Sequence, residues 1–182
     1  MPIPERFPRA WLLANALAFQ CIWWLLILAG PQQPALAALA LAAWLAAHLW
    51  LSDTRRADLA ALAALPTLGP WLDVLIEAAG WLEYHGQRPM DGWATYWIIG
   101  LWAAFALTLN HSLRAVISRP LLAVGFGAIG GALAYLAGAR FGAASLPADP
   151  VPALIGIGAA WAGVMALLSV ASIRFERKGV YA

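Results

Sequence analysis

Six apolar runs, each closed by a short polar or proline-bearing connection, leave this chain few folds to choose from. They cover about residues 11–29, 35–51, 59–83, 93–113, 121–139 and 153–173. Each is about 17–25 residues long, enough helix to cross a hydrocarbon core of roughly 30 Å. Of the 182 residues, 63% are hydrophobic and 11% charged, and the mean hydropathy is +0.75. A soluble domain of this size cannot hide that much apolar surface, whereas a bilayer removes the need. The sequence therefore predicts an all-α polytopic membrane helix bundle of about six transmembrane helices, in a single transmembrane domain over residues 1–182.

Charge placement orients the spans. With six crossings, one side carries Arg6, Arg9, Arg55, Arg56, Arg114, Arg119, Arg174, Arg177 and Lys178, and the other only Arg88 and Arg140. By the positive-inside rule both termini are expected in the cytoplasm. The basic start before the first run resembles a signal peptide, but the run is too long and further spans follow, so it is read as an uncleaved helix. A net charge of +2 without a basic cluster gives no reason to expect nucleic acid. The lone Cys21 excludes an intrachain disulfide and a cysteine metal cluster.

The third run is unlike the others. Leu65 to Glu83 reads LPTLGPWLDVLIEAAGWLE, with Pro66, Gly69 and Pro70 ahead of two carboxylates, Asp73 and Glu77. Proline removes a backbone donor and crowds the preceding turn, so a break is expected between Leu65 and Pro70. Pro70 suits the first position of a new half-helix, and Asp73 then lies where the helix dipole favours negative charge. Intramembrane carboxylates are costly and face a bundle interior or a wet cavity, which makes this stretch the first site hypothesis. The plainer alternative is that both acids anchor a helix end near the outer headgroups.

Depth sorts the remaining polar residues. Toward the outer face, Asp73 and Glu77 join Trp71, Tyr96, Trp97, Tyr135 and Arg140 as candidates for a ligand pocket with polar and aromatic walls. Arg140 is expected either to pair with Glu77 or Asp73 or to snorkel to lipid phosphates. Toward the cytoplasmic face, a second polar cluster comprises Asn15, His48, Asn110 and His111, with Thr108 and Ser112 beside them and Gln20 near mid-membrane. Two histidines without a carboxylate do not make a catalytic or metal site, so these residues are expected to hydrogen-bond between helices. Neither a metal nor a cofactor is expected, since no zinc-protease, P-loop, dinucleotide or serine-hydrolase motif is present.

The fifth run carries Ala123, Gly127, Gly131, Ala134, Gly138 and Gly142 on one helical face. Small residues at this spacing let a second backbone approach closely, and Gly156, Ala159, Gly163 and Ala166 of the sixth run offer the partner face. Membrane lipids are the expected partners, with a membrane protein or a second copy of the chain as further candidates.

LDVLIEAAGWLEY (72–84), LWAAFALTLNHSL (101–113) and GAIGGALAYLAGARFGA (127–143) together resemble DUF2878, a family of small bacterial inner-membrane proteins. NALAFQCIWW (15–24) extends the resemblance to the first span. Ala132 stands where the family often has proline, which straightens the fifth span relative to that pattern. The resemblance implies a multi-span protein of the bacterial inner (cytoplasmic) membrane with no assigned catalytic residue. It also implies a setting near fatty-acid-modifying proteins, including cyclopropane-fatty-acid-synthase-like ones. Three roles follow: an accessory protein binding a lipid or small apolar molecule in an outward-facing pocket, an enzyme acting on acyl chains, or a small proton-coupled transporter.

Overall fold

A computed structural model describes residues 8–177, with side chains through residue 174. Arg6 and Lys178 lie outside the described residues, as does the side chain of Arg177. The elements run α1 (Pro8–Ala29), α2 (Pro34–Leu51), α3 (Arg55–Leu68), α4 (Pro70–Ala78), β1 (Glu83–Tyr84), α5 (Tyr96–Ala106), α6 (Arg114–Ile117), α7 (Pro120–Arg140), β2 (Ala144–Ser145) and α8 (Val151–Arg177). Among the described residues, the only strands are the short antiparallel pair β1–β2, and the other elements are helices joined by turns and loops. The chain is a polytopic all-α helix bundle of about six spans. Among the described residues, five helical stretches are long and apolar enough to cross a membrane: Pro8–Ala29, Pro34–Leu51, Arg55–Ala78, Pro120–Arg140 and Val151–Arg174. Large apolar side chains such as Leu13, Leu39 and Leu121 face outward, as hydrocarbon permits and water does not.

Packing divides the chain into two compact units, Met1–Val74 with His85–Leu113, and Leu75–Tyr84 with Arg114–Ala182. In the second unit α7 and α8 pack closely. A Cβ on Gly131 would land 2.6 Å from the Trp161 side chain, and one on Gly158 would land 2.8 Å from the Ala128 carbonyl. The small-residue face of α7 is thus the seat of Trp161 and Met165. Gly138 and Gly142 meet nothing within 4 Å, so only its first half is in tight contact. On α8, Gly163 is open and exposed; Trp161, Met165 and Gly158 make the contact instead.

The third span is interrupted where expected, but more narrowly. Pro66 lies inside α3, and the interruption is confined to Gly69, whose φ of −60° and ψ of −44° are still helical. The Trp102 ring sits against Gly69, where a side chain would collide with it. The break is a bend between α3 and α4 and not an unwound stretch.

The larger departure is in the fourth span. A helix over 93–113 was expected, yet α5 has 11 residues and ends at Ala106, followed by consecutive turns through Leu113. At 1.5 Å per residue, α5 alone covers about 16 Å, half a hydrocarbon core. Trp97 packs on Gly30, at the end of α1. Leu107, His111 and Ser112 bond to Asn15 and Trp11, near the start of α1. The fourth crossing is therefore helix for one part and turns for the rest. Irregular backbone at such depth is tolerated where protein buries it. Here Leu107, Thr108, Leu109 and His111 are all buried.

Candidate functional site

Four stretches of the first unit meet where α5 gives way to turns: the start of α1, the end of α2, the start of α3 and residues 107–112. Asn15 does the joining. Its Nδ2 donates to the Leu107 carbonyl at 3.0 Å, while its Oδ1 accepts from the Ser112 backbone N–H at 3.2 Å and from the Ser112 hydroxyl. One amide side chain thereby satisfies a carbonyl and an N–H that lost their helical partners. Both contacts also fix which way the amide points.

Next to Asn15 lies a buried carboxylate. Asp58 is in the first turn of α3 and fully shielded, at 0% exposure. Its Oδ1 accepts from Asn110 Nδ2 at 2.9 Å. Its Oδ2 accepts from the Ser52 hydroxyl and faces His111 Nε2 at 3.1 Å, and Thr54 Oγ1 stands 3.3 Å away. His48, from the last turn of α2, brings Nε2 to 3.5 Å from the same Oδ2, too far for a good hydrogen bond. That nitrogen is buried without a hydrogen-bond partner among the described residues.

What lies behind each ring decides its tautomer. Trp11 Nε1, which can only donate, meets His111 Nδ1 at 2.9 Å. The neutral His111 therefore holds its proton on Nε2 and gives that hydrogen to Asp58. Behind His48, the Asn15 Nδ2 donor approaches Nδ1 at 3.4 Å, a weaker contact of the same sense. Both imidazoles thus aim an N–H at one carboxylate oxygen. Rings pack around them: His48 lies 4.6 Å from His111 and 5.3 Å from Trp11, centroid to centroid.

This arrangement limits the chemistry. In a hydrolytic triad the acid holds one ring nitrogen and the nucleophile the other. Here Asp58 and the Thr54 hydroxyl, 3.2 Å away, crowd Nε2 while Trp11 occupies Nδ1. A metal fares no better. The imidazole nitrogens and carboxylate oxygen converge within 4.8 Å, as three ligands would. A metal-bound histidine, however, donates its other N–H to an acceptor, and both rings here are backed by donors. Zinc is accordingly expected to bind the wild type and Asp58→Asn about equally in a chelator competition. A loss of affinity of about tenfold or more in Asp58→Asn would show a built metal site. What remains is a buried, hydrogen-bonded cluster of two histidines and an aspartate.

Of the cytoplasmic-side residues expected from sequence, Asn15, His48, Asn110 and His111 meet in this centre. Gln20 does not, since it is exposed on α1. Asp58, Ser52, Thr54 and Trp11 were missed as members. The sequence places these first three in the 52–58 connection, which holds for Ser52 and Thr54, but α3 starts at Arg55 and takes in Asp58; Trp11 and Asn15, one turn apart on α1, share a face. The outer candidates are divided between the two units. In the first, buried Asp73 accepts from Trp102 Nε1 at 2.7 Å, Trp97 donates to the His85 carbonyl at 2.7 Å, and exposed Trp71 packs edge-on against Trp93. Tyr96, also in the first unit, is exposed. In the second, Glu77 accepts from the Tyr84 backbone N–H, Tyr135 stands between Tyr84 and Trp161, and Arg140 is exposed at the end of α7.

Residues 12–167 match the model of a family described as a protein of unknown function, DUF2878. The chain belongs to this family. It is a multi-pass membrane protein with a buried histidine–aspartate cluster. No curated protein and no solved structure matches it.

Proposed function

We propose that this DUF2878 protein is a small proton-coupled carrier of the inner membrane, with His48, Asp58 and His111 as its proton site. One observation carries the reading: a buried carboxylate faces two imidazoles where the fourth span loses its helix. Ionisable groups inside a membrane bundle mark proton relays and substrate paths. Discontinuous helices mark the binding sites of secondary transporters, because their freed backbone groups can serve a ligand and their joints can move. The distribution of arginines supports a cytoplasmic setting for this end of the first unit, with both termini on the same side. Thr54 and Asn110, half-buried at the edge of the centre, are the route by which protons reach it.

The test is solute uptake into proteoliposomes. A mixture of small metabolites is supplied outside, a pH gradient is imposed, and accumulated solutes are read by mass spectrometry. The wild type is expected to concentrate at least one solute in a gradient-dependent way, and Asp58→Asn to concentrate none. Equal accumulation by both would remove the assignment.

A second reading, binding of a lipid or small apolar molecule in support of fatty-acid modification, draws on a different feature. An open groove of about 460 Å³ between α7 and α8 is lined by Ala128, Ala132, Leu133, Leu154, Ile155 and Gly158, among other apolar residues. Its volume is within the range of small-ligand sites, and its lining suits an alkyl chain. None of the polar outer candidates lines it.

A further inference from the structure

The hydrogen bond behind His111 says how a proton would be felt by the rest of the fold. We infer that Trp11 is the coupling residue of the centre: a proton arriving at His111 binds Nδ1, and it does so by displacing the Trp11 indole. This rests on the proton-site reading and adds to it the residue that transmits the event.

The steps follow from donor and acceptor capacity. Neutral His111 already carries hydrogen on Nε2, shared with Asp58. Its one remaining lone pair is on Nδ1, and that pair accepts from Trp11 Nε1. A proton taken from water must bind there, giving an imidazolium with two N–H donors. Trp11 can then offer Nδ1 only a second hydrogen, and two donors cannot face each other at 2.9 Å. The N–H···N bond breaks and the indole turns away, while the new positive charge rests against the Asp58 carboxylate.

The charge environment is compact. Asp58 of α3 and His48 of α2 are the titratable groups that face His111. α1 presents only Trp11 and Asn15, neither of which titrates. Arg55 is turned to the Leu49 and Trp50 carbonyls, and Arg9, Arg56 and Arg114 are exposed.

Release of Trp11 has a direct mechanical consequence. Asn15 lies one turn further along the same face of α1 and holds both the Leu107 carbonyl and the Ser112 N–H. Loosening the start of α1 therefore loosens the turns that complete the fourth crossing. Proton binding and rearrangement of the discontinuous span become one event.

The experiment is a pH titration of the full chain in lipid nanodiscs, with ¹⁵N in histidine and tryptophan side chains. The three histidines are assigned by single substitution, and the Trp11 signal by Trp11→Phe. At high pH, His111 is expected to show its hydrogen on Nε2. On acidification, Nδ1 should gain a proton and the Trp11 indole N–H signal should shift at the same midpoint. A neutral His111 with its hydrogen on Nδ1, or a Trp11 signal that stays fixed through the titration, would overturn the inference. The wild-type signals decide this without reliance on any variant's folding. The carrier reading fails separately, by solute uptake insensitive to Asp58→Asn, and that result leaves the coupled titration standing.

Discussion

Asp58→Ala is expected to cost the protein about 3 kcal/mol or more of stability, the largest loss from any single truncation in the first unit. Alanine takes from the Ser52 and Thr54 hydroxyls, Asn110 Nδ2 and His111 Nε2 the carboxylate that they share, and leaves a void in its place. The Ser52 and His111 donors are buried away from water, so the penalty falls on the end of α2 and on residues 107–112 together. Asp58→Asn keeps the shape and one acceptor oxygen, and the Ser52 hydroxyl can rotate to accept, so its loss should be well under half as large. Thermal unfolding in detergent measures both. If Asp58→Ala and Asp58→Asn unfold within a degree of the wild type, the network is not holding these segments.

The second large effect belongs to the α7–α8 contact. Gly131→Ala is expected to destabilise by about 2 kcal/mol, because its Cβ would stand 2.6 Å from Trp161 Cβ and a backbone would have to move. Gly138→Ala, on the same small-residue face, meets nothing within 4 Å. It should be neutral or stabilising by up to about 1 kcal/mol, the helix-propensity gain of alanine. Unfolding the two variants side by side separates close packing from mere abundance of small residues. Equal changes in the two would mean that the face has no special contact at Gly131.

Much of the fold was legible because hydrophobic length is an additive signal. Each run announces a crossing whatever its neighbours do, and α1, α2, α7 and α8 lie close to the runs that predict them. Composition misled where polar residues open or close a helix. Arg55, Arg56 and Asp58 look like a loop, but the first turn of a helix welcomes an acid through its dipole. Reading them as loop hid the carboxylate that completes the pair of histidines. The end of α5 was obscured in the opposite way: LTLNHSL continues an apolar run at helical length, though its clustered threonine, asparagine, histidine and serine can all cap freed backbone. Asn15 supplies the remaining caps from 92 and 97 residues away in sequence, which local pattern does not report.

Proline gave a clear but incomplete signal. Pro66 and Pro70 do bend the third span, yet the interruption shrinks to Gly69 because Trp102 packs into the space that glycine leaves. The carboxylate beyond it, Asp73, is buried and accepts from the indole of Trp102. Arg140 is exposed at the end of α7.

The measurement that bears most directly on the central claim is the number of protons the purified protein takes up as the pH is lowered. Wild type and an Asp58→Asn/His111→Gln double variant are titrated in parallel in weakly buffered detergent with an indicator dye. A working proton centre predicts that the wild type binds about one more proton per chain than the variant across the histidine range. Superimposable uptake curves from two equally folded samples would contradict it.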